Sequence, residues 1–422
     1  MLDIKFIREN PTKVKKACQD KQVKVDIDEL LEIDKRKRET LQALEDMRAQ
    51  KNKASKEIQT AKNQREKDKI ILKMRELDKN SDRLTKSLKE LEERFNGLMF
   101  QIPNLPLADT PVGKDERDNV VLREVGQKPK FDFKPKNYLE IGELLDLIDV
   151  KRAAKVSGTR FGYLKREAAL IEFALINLAF EVLTKEKFIP IIPPVMLKSE
   201  MARGMGYLEQ SDKEEAYYLP QDDLYLVGTA EQSVGVMHNN EILEEKELPK
   251  RYVAFSTCFR RESGSYGKDT KGILRVHQFD KVEMFSFVKP QDSIKEHQFF
   301  LEMEEKLMQI LNLPYRVVNI CTGDLGRPAA AKYDIETWMP SGNRYRETHS
   351  TSNCTDFQAR RLNIRYKGKN NKLNFVHTVN GTAFAIGRTL IMLIENYQQR
   401  DGSILIPEAL RKYLPFREIK KT

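Results

Sequence analysis

Cysteine is scarce in this sequence, and its scarcity excludes two kinds of site. The four cysteines, Cys18, Cys258, Cys321 and Cys354, are far apart and form neither a CxxC pair nor a Cys/His group with zinc spacing. We therefore expect no structural zinc. Scattered thiols in a chain of 422 residues suit a reducing cytoplasm better than a disulfide-bonded secreted protein.

Long apolar runs are also missing. The richest one, Phe173 to Phe180, is short and interrupted by Asn177, so it predicts a core helix and not a membrane span. Residues 1–11 alternate charged and apolar side chains and lack the apolar segment of a signal peptide. We expect a cytoplasmic protein with no membrane partner.

Glycine and proline are nearly absent from residues 26–100, where Gly97 is the only example of either. Apolar residues there recur every three or four positions in two stretches, Leu30–Ala61 and Ile70–Leu98, which predicts two long helices with a coiled-coil seam. The polar run 62–65 separates them, so the turn is expected near Asn63. At ~1.5 Å per residue, each helix is on the order of 50 Å long. We predict an antiparallel arm over about residues 27–99.

Positive charge is concentrated near the predicted tip of this arm. The chain has 74 Lys and Arg against 64 Asp and Glu, a net charge of +10. Between Arg48 and Arg75, ten basic residues stand against three acidic ones, a local balance of +7. Such a surface favours a phosphate backbone as partner, although phosphate contacts do not read sequence. An ordinary solvated coiled coil explains the arm alone equally well.

Composition changes after residue 102. Pro103, Pro106, Pro111 and Gly113 predict a linker over residues 103–118, between a domain of residues 1–102 and a second domain of residues 119–422. In the second domain, helical segments at Arg166–Lys185 and Ser293–Leu311 alternate with short β-rich runs joined by irregular loops. This pattern predicts an α+β fold with a mostly antiparallel sheet flanked by helices. The β-rich runs are Ile189–Ile192, Leu224–Val227, Tyr252–Cys258, Gln278–Phe287, Tyr315–Ile320 and Phe375–Asn380.

One candidate site lies on a predicted hairpin. The run Phe259-Arg260-Arg261-Glu262 follows a strand, and a polar, Gly-rich loop at Ser263–Gly272 leads to the next strand-forming run, which contains Arg275 and Phe279. Arginine forks pair with phosphate oxygens, and Phe279 offers a stacking face to a purine. Glu283 shares the face of Phe279 by the period of two, where a carboxylate could hold an ammonium group. A charged hairpin with a surface salt bridge is the simpler alternative.

Two further groups could bind nucleotide. Glu347 and Ser350 are three residues apart and could both face a Mg²⁺ that carries ATP phosphates; His349 between them is more typical of a structural residue than of a base. The run Asn380–Arg388 alternates small residues and ends with an arginine at the start of an apolar helix, where a phosphate would meet the helix dipole. Its glycines do not fit the dinucleotide fingerprint.

Taken in order, these segments resemble motifs 1, 2 and 3 of the class II aminoacyl-tRNA synthetases. The matching segments are an apolar strand ending at Pro193 (with Pro194 beside it), FRRE–loop–RVHQF, and GTAFAIGR. The Thr229-Ala230-Glu231 triplet, the HQFDKVEMF run, the PVGKDERDN run and the helical arm are similar to bacterial-type seryl-tRNA synthetases. The resemblance covers essentially the whole chain. Arg261 and the pair Thr348-His349 depart from the usual family pattern.

The resemblance implies a homodimeric serine–tRNA ligase that uses ATP and Mg²⁺ and acts on L-serine and serine tRNA; selenocysteine tRNA is left open. Arg260, Glu347 and Arg388 would be catalytic, and Glu347 and Ser350 would hold Mg²⁺. The implied ATP-binding residues are Arg260, Arg261, Glu262, Arg275, Val276, Phe279, Glu347, Thr348, His349, Ser350 and Arg388. The implied serine-binding residues are Thr229, Ala230, Glu231, Arg260, Glu283, Asn380 and Thr382. The implied tRNA-binding residues are Arg48, Lys51, Lys53, Lys56, Lys62, Arg65, Lys69 and Lys73.

Three alternatives remain. A ligase with the same core that loads a carrier protein would lack the long arm. A non-catalytic RNA-binding relative would be expected to have lost Arg260, Glu347 or Arg388, and all three are present. A coiled-coil scaffold would not need the motifs of the second half of the chain.

Overall fold

A computed structural model describes residues 1–208, 212–263 and 271–421. The chain divides into two compact units, one of residues 2–103 and the other from Asn104 onward together with Met1. No helix in the described ranges is long and apolar enough to cross a membrane.

The first unit is entirely helical among its described residues. Its helices are α1 (Ile4–Glu9), α2 (Pro11–Asp20), α3 (Ile27–Thr60) and α4 (Gln64–Gln101). The two long helices are antiparallel neighbours, as their seam predicts. Lys37 of α3 pairs with Glu92 of α4 at 3.7 Å, and Lys51, fourteen residues on, pairs with Asp78, fourteen residues back. The two pairs are thus spaced by two heptads on each helix.

A three-residue connection joins the long helices at the predicted position. Asn63 caps α4 by accepting the backbone N–H of Glu66 at 2.9 Å, and the Glu66 carboxylate accepts the N–H of Lys62 at 3.0 Å. These bonds satisfy N–H groups that no helical carbonyl reaches. The turn therefore forms where the apolar pattern stops and a capping residue is available.

The second unit mixes helices and strands. Its helices are α5 (Tyr138–Leu144), α6 (Val150–Ser157), α7 (Glu167–Lys185), α8 (Ser199–Met205), α9 (Asp212–Glu215), α10 (Ala230–Val236), α11 (Ser293–Ile310), α12 (Phe357–Leu362) and α13 (Ile386–Asn396). Its strands are β1 (Val120–Val125), β2 (Ile148–Asp149), β3 (Tyr163–Leu164), β4 (Ile189–Ile191), β5 (Met196–Lys198), β6 (Tyr218–Leu219), β7 (Leu224–Leu226), β8 (Ile242–Glu244), β9 (Lys250–Phe259), β10 (Gln278–Val288), β11 (Tyr315–Asn319), β12 (Ala331–Met339), β13 (Arg344–Thr355), β14 (Arg365–Lys367), β15 (Leu373–Phe375), β16 (His377–Ala385), β17 (Ile404–Leu405) and β18 (Glu418–Ile419).

An eight-stranded sheet organises this unit, in the order β1-β11-β12-β13-β16-β10-β9-β4. All neighbouring strands are antiparallel except β4 and β9, which are parallel. Helices α7, α11 and α13 pack on the sheet, and their apolar side chains form the main core with residues such as Val282 and Phe384. The α+β prediction is confirmed.

Strands β12 and β13 were not predicted from the sequence. In β13, the sequence RYRETHSTSNCT shows no alternation of apolar and polar residues. The reason is that both faces carry polar groups: Thr351 and Asn353 are fully buried on one face, while Ser350 and Ser352 line a cavity on the other. A strand with two polar faces gives no period-two signal.

Candidate active site

The polar face of the sheet borders a cavity of about 330 Å³. On β10, Phe279, Lys281 and Glu283 point into it, while Val282 before Glu283 and Met284 after it enter the core. This alternation follows from the two-residue period of a β-strand. Most predicted ligand-binding residues line this cavity: Thr229, Glu231, Arg260, Glu262, Arg275, Val276, Phe279, Glu283, Glu347, Thr348, Ser350, Asn380, Thr382 and Arg388.

Arg260 enters the cavity just beyond the end of β9. Its Nε donates to the carbonyl oxygen of Gly228 at 3.1 Å, and its guanidinium lies 5.3 Å from the centre of the Phe279 ring. These contacts fix the direction of the side chain. The guanidinium fork and the aromatic face therefore border the same space, as phosphate and purine recognition requires.

Glu262 and Arg275 face each other across the two ends of the hairpin. Glu262 has a φ of +52°, and its carboxylate lies 3.6 Å from Arg275 Nη1. Val276 lines the cavity beside Arg275. Part of the predicted loop at Ser263–Gly272, residues 264–270, lies outside the described residues.

A β-bulge brings Glu347 and Ser350 to the same face. On a regular strand, side chains three residues apart point to opposite faces. Pairing between β12 and β13 passes from Ile335–His349 to Glu336–Glu347, so Thr348 is an extra residue on β13. The bulge turns the strand so that Glu347 and Ser350 both line the cavity.

His349 lies on the core side of β13. It is 1% exposed, its Nδ1 lies 2.8 Å from the Thr348 hydroxyl, and its ring packs on Phe384 with centroids 5.9 Å apart. Burial lowers the pKa of His349 to about 3, so the imidazole is neutral at physiological pH. The structure places this histidine beneath the cavity wall and not in it.

Arg388 lies in the first turn of α13 and contacts Glu347 twice. Its Nη1 donates to the Glu347 carbonyl oxygen at 3.1 Å and lies 3.3 Å from the carboxylate. Desolvation raises the pKa of Glu347, but the charges of Arg388, Lys332 and Arg260 outweigh it and hold that pKa below its usual value. Glu347 is therefore an anion at neutral pH, surrounded by cations that suit phosphate groups.

Glu283 forms the base of the other end of the cavity. It is 1% exposed, pairs with Lys281 and accepts the Thr229 hydroxyl at 3.2 Å. Burial raises the pKa of Glu283 to about 7, against the opposing charge of Lys281. Sequence reasoning placed Lys281 on this face by period but did not count it among the site residues.

Besides His349, two predicted residues lie away from the cavity lining. The Arg261 guanidinium lies over the ring of Tyr217, 5.7 Å from its centre, and the Arg261 backbone N–H donates to Glu215 at 2.8 Å. Ala230 is the fully buried first residue of α10. Ala230 therefore begins the helix that carries Glu231, and Arg261 faces away from the space beside Arg260.

In the helical unit, the predicted tRNA-binding residues lie in the part of the hairpin near Asn63. Seven of them are exposed, and Lys51 is half-buried in its pair with Asp78. The exposed ones are Arg48, Lys53, Lys56, Lys62, Arg65, Lys69 and Lys73.

Two family models match the chain. The model described as "tRNA synthetase class II core domain (G, H, P, S and T)" matches residues 217–397, and the "Seryl-tRNA synthetase N-terminal domain" matches residues 1–106. The second of these matches covers the helical unit, and the first lies within the unit that mixes helices and strands.

Two of the similar curated proteins are serine–tRNA ligases. A serine–tRNA ligase of Dictyoglomus turgidum is 43% identical over 423 residues, covering 100% of this chain and 99% of that protein. A serine–tRNA ligase of a Sulfurihydrogenibium species is 51% identical over 324 residues, covering 76% of this chain and 78% of that protein.

Two solved structures are similar to this chain over its whole length. Seryl-tRNA synthetase from Pyrococcus horikoshii complexed with ATP superposes with a TM-score of 0.94 at 41% identity, over 100% of both chains. Cytoplasmic serine–tRNA ligase from Naegleria fowleri in complex with AMP gives a TM-score of 0.87 at 32% identity, over 100% of this chain and 99% of that one.

The pairing of Glu283 with Lys281 predicts a measurable pKa change. Replacing Lys281→Met removes the nearest positive charge, so the pKa of Glu283 should rise above about 7. Carbon-13 NMR titration of labelled glutamate would report it. Because the folded state then holds the proton more tightly than the unfolded state, the Tm of the variant should keep falling from pH 7 towards about pH 9.

Lys281→Arg keeps the charge and serves as the matched control. Its Glu283 should titrate close to the wild-type value. If Lys281→Met leaves the Glu283 titration unchanged, the ion pair does not set the charge at the base of this cavity.

Proposed function

This chain belongs to the seryl-tRNA synthetase family of the class II synthetases, and from that premise we propose how its residues carry out the reaction. The chain is a serine–tRNA ligase, which activates L-serine with ATP to seryl-adenylate and transfers the seryl group to the 3′ end of tRNA. The observation that carries the residue assignment is that one cavity is lined by Arg260, Arg275 and Arg388 together with the Phe279 ring and the buried carboxylate of Glu283.

ATP occupies the end of the cavity bordered by Phe279 and Arg388. The adenine stacks on Phe279, and Glu262 meets its exposed edge. Arg260 holds the α-phosphate, while Arg275 and Arg388 hold the outer phosphates. All five of these side chains line the cavity, and Arg388 does so from the first turn of α13.

Mg²⁺ fits beside Glu347 and Ser350. The bulge in β13 brings this carboxylate and this hydroxyl to the same face, and Glu347 is ionised at neutral pH. Two oxygen ligands from the protein suit a Mg²⁺ that takes its remaining ligands from phosphates and water. Glu347 and Ser350 would hold the ion, which would supply positive charge for the phosphate groups.

Serine occupies the opposite end of the cavity. Its ammonium group faces Glu283 and the Thr229 hydroxyl, its carboxylate faces Arg260, and its hydroxyl faces Asn380 and Thr382. A buried site that hydrogen-bonds a hydroxyl rejects alanine by about 10⁴-fold or more, because its polar groups would be left unpaired.

The chemistry needs no protein nucleophile. The serine carboxylate attacks the α-phosphorus and pyrophosphate leaves; the 3′-terminal hydroxyl of tRNA then attacks the carbonyl carbon of the adenylate and AMP leaves. Both steps depend on alignment and on stabilisation of negative charge. Arg260 serves the first step, because it faces both the attacking carboxylate and the phosphate under attack.

Arg260 and its neighbour provide a matched pair of variants. Arg260→Ala should lower serine-dependent ATP–pyrophosphate exchange by about 10²- to 10³-fold, because a charge-stabilising donor is lost from the transition state. Arg261→Ala, whose side chain lies over Tyr217, should stay within about twofold of wild type. Full exchange activity in Arg260→Ala would refute the assignment. A similar loss in both variants would point to folding instead.

The helical arm binds tRNA through its phosphates. Its surplus of basic side chains near Asn63 is exposed, and these residues would displace counterions from an RNA backbone. The four cysteines are buried and form no disulfide among the residues that the structure describes, which suits the cytoplasm where we expect this reaction to occur.

Shortening the arm should separate the two half-reactions. Residues 45–84 are deleted, and the two helix ends are joined by a short glycine turn. The ion pairs Lys37–Glu92 and Lys51–Asp78 show which residues of the two helices lie opposite each other, so that both helices are cut at the same height. Serine-dependent pyrophosphate exchange should stay within about twofold of wild type, because the cavity is untouched. Charging of tRNA should fall by at least about 100-fold, because several phosphate contacts are lost together.

A charge variant tests the same claim without altering the helices. Changing Lys53, Lys56, Lys69 and Lys73 to Gln should weaken tRNA binding and flatten its salt dependence by about 0.7–0.9 per lost contact. The matched control changes Lys86 and Lys89, which lie away from Asn63, to Gln. Undiminished charging by the shortened protein would exclude the arm as the tRNA-binding element.

The family resemblance also implies a homodimer, and we propose that it forms along the β4 edge of the sheet. Strand β4 is an outer strand of the sheet, and apolar side chains beside it are exposed: Phe173 by 63% and Ile192 by 72%. Large exposed apolar groups clustered on one face are typical of protein contacts. A second copy of the chain would cover them.

Charged substitutions at this edge should dissociate the dimer. Phe173→Asp and Ile192→Asp each put a charge into the buried interface, so sedimentation equilibrium at micromolar concentration should shift from the mass of two chains to that of one. Leu122→Asp, on the outer strand β1 at the other end of the sheet, should remain dimeric. A wild-type protein with the mass of one chain would refute the homodimer.

A further inference from the structure

Glu231 lies in the cavity wall with both carboxylate oxygens engaged. Oε1 accepts Gln358 Nε2 at 3.1 Å and Asn380 Nδ2 at 3.1 Å, and Oε2 accepts the Tyr207 hydroxyl at 3.2 Å. Three donors on one buried carboxylate leave little capacity for a ligand ammonium. Glu231 is therefore a fixed acceptor that holds its neighbours.

Gln358 has one possible amide orientation. It lies on α12 and is fully buried. Its Nε2 donates to the Met205 carbonyl oxygen at 3.3 Å as well as to Glu231, and its Oε1 accepts the Thr378 hydroxyl at 2.6 Å. A carbonyl oxygen and a carboxylate can only accept, so the nitrogen of Gln358 must face them.

The orientation of Asn380 follows from this arrangement. Its Nδ2 is directed into the wall, onto Glu231 and within 3.7 Å of the Cys354 sulfur. Its Oδ1 therefore faces away from Glu231, toward the cavity that Asn380 lines together with Thr382 and Glu283. A carbonyl oxygen there accepts a hydrogen bond from a hydroxyl or an ammonium group. If the amide were inverted, its NH₂ group would face these donors instead.

We propose that Gln358 is a positioning residue for the recognition of serine: it holds Glu231, which in turn holds the Asn380 amide with its oxygen toward the substrate. This inference rests on the proposed function, because it takes serine as the occupant of this end of the cavity. Gln358 touches no substrate, and its effect passes through two hydrogen bonds.

Gln358→Met tests the proposal, because methionine matches the length of glutamine and cannot donate to Glu231. The KM for serine in pyrophosphate exchange should rise about tenfold or more, the effect of one lost hydrogen bond to a buried charge, while the KM for ATP stays within about twofold. The preference for serine over alanine in kcat/KM should fall by a similar factor. A merely structural role would not change that preference.

Gln398→Met is the matched control. Gln398 is 2% exposed, and its Nε2 donates to the carbonyl oxygens of Lys136 and Glu395 at 3.0 and 2.9 Å, away from the cavity lining. This variant should lower the Tm as Gln358→Met does and leave both KM values unchanged. Thr378→Val, which removes the donor to Gln358 Oε1, is a milder second variant and should shift the KM for serine in the same direction.

A double-mutant cycle tests the route through Glu231. If Gln358 acts on Asn380 through this carboxylate, adding Gln358→Met to Glu231→Gln should change the dissociation constant for serine by less than about twofold. Independent effects that multiply would overturn the proposal.

Different results would refute the proposed function and the positioning role of Gln358. A wild-type protein without serine-dependent exchange would refute the proposed function. An active wild type in which Gln358→Met raises the KM for serine and ATP alike, or leaves the serine–alanine preference intact, would refute the positioning role alone.

Discussion

The cavity depends on the pairing of opposite charges along its wall. Glu283 is buried with Lys281, Glu262 faces Arg275, and Glu347 contacts Arg388. A buried charge without a partner would cost several kcal/mol, so Lys281 determines where the buried Glu283 can lie. The pairs also keep cations and carboxylates in place before any ligand arrives, which is the condition for catalysis by preorganised charge.

Irregular strand pairing determines which residues reach this cavity. The extra residue Thr348 on β13 turns Glu347 to the face of Ser350, and the extra residue Ala383 on β16 brings Thr382 and Ala385 to one face. Without the bulges, residues at odd spacing would divide between the cavity and the core. Two irregularities of the sheet therefore lie beside the cavity and determine part of its lining.

The sequence predicted those features that repeat or follow a known pattern. The arm was evident because its apolar period extends over many turns, and the cavity residues from Arg260 to Arg388 could be named because they resemble family motifs. Strand β13 was missed because both of its faces are polar. Gln358 was missed for another reason: it meets Glu231 only in the folded chain, 127 residues away, and a lone glutamine carries no local signal.

The two-heptad spacing of the ion pairs along the arm has a consequence for how its length can change. An insertion in α3 alone would move Lys37 and Lys51 out of step with Glu92 and Asp78 and rotate the apolar seam away from its partner. An insertion of equal length in α4, at the position directly opposite, restores both the ion pairs and the apolar seam. In natural variants of this arm, α3 and α4 should therefore gain or lose equal numbers of residues, most readily seven at a time. The turn at Asn63 would stay constant while the helices behind it grow or shrink.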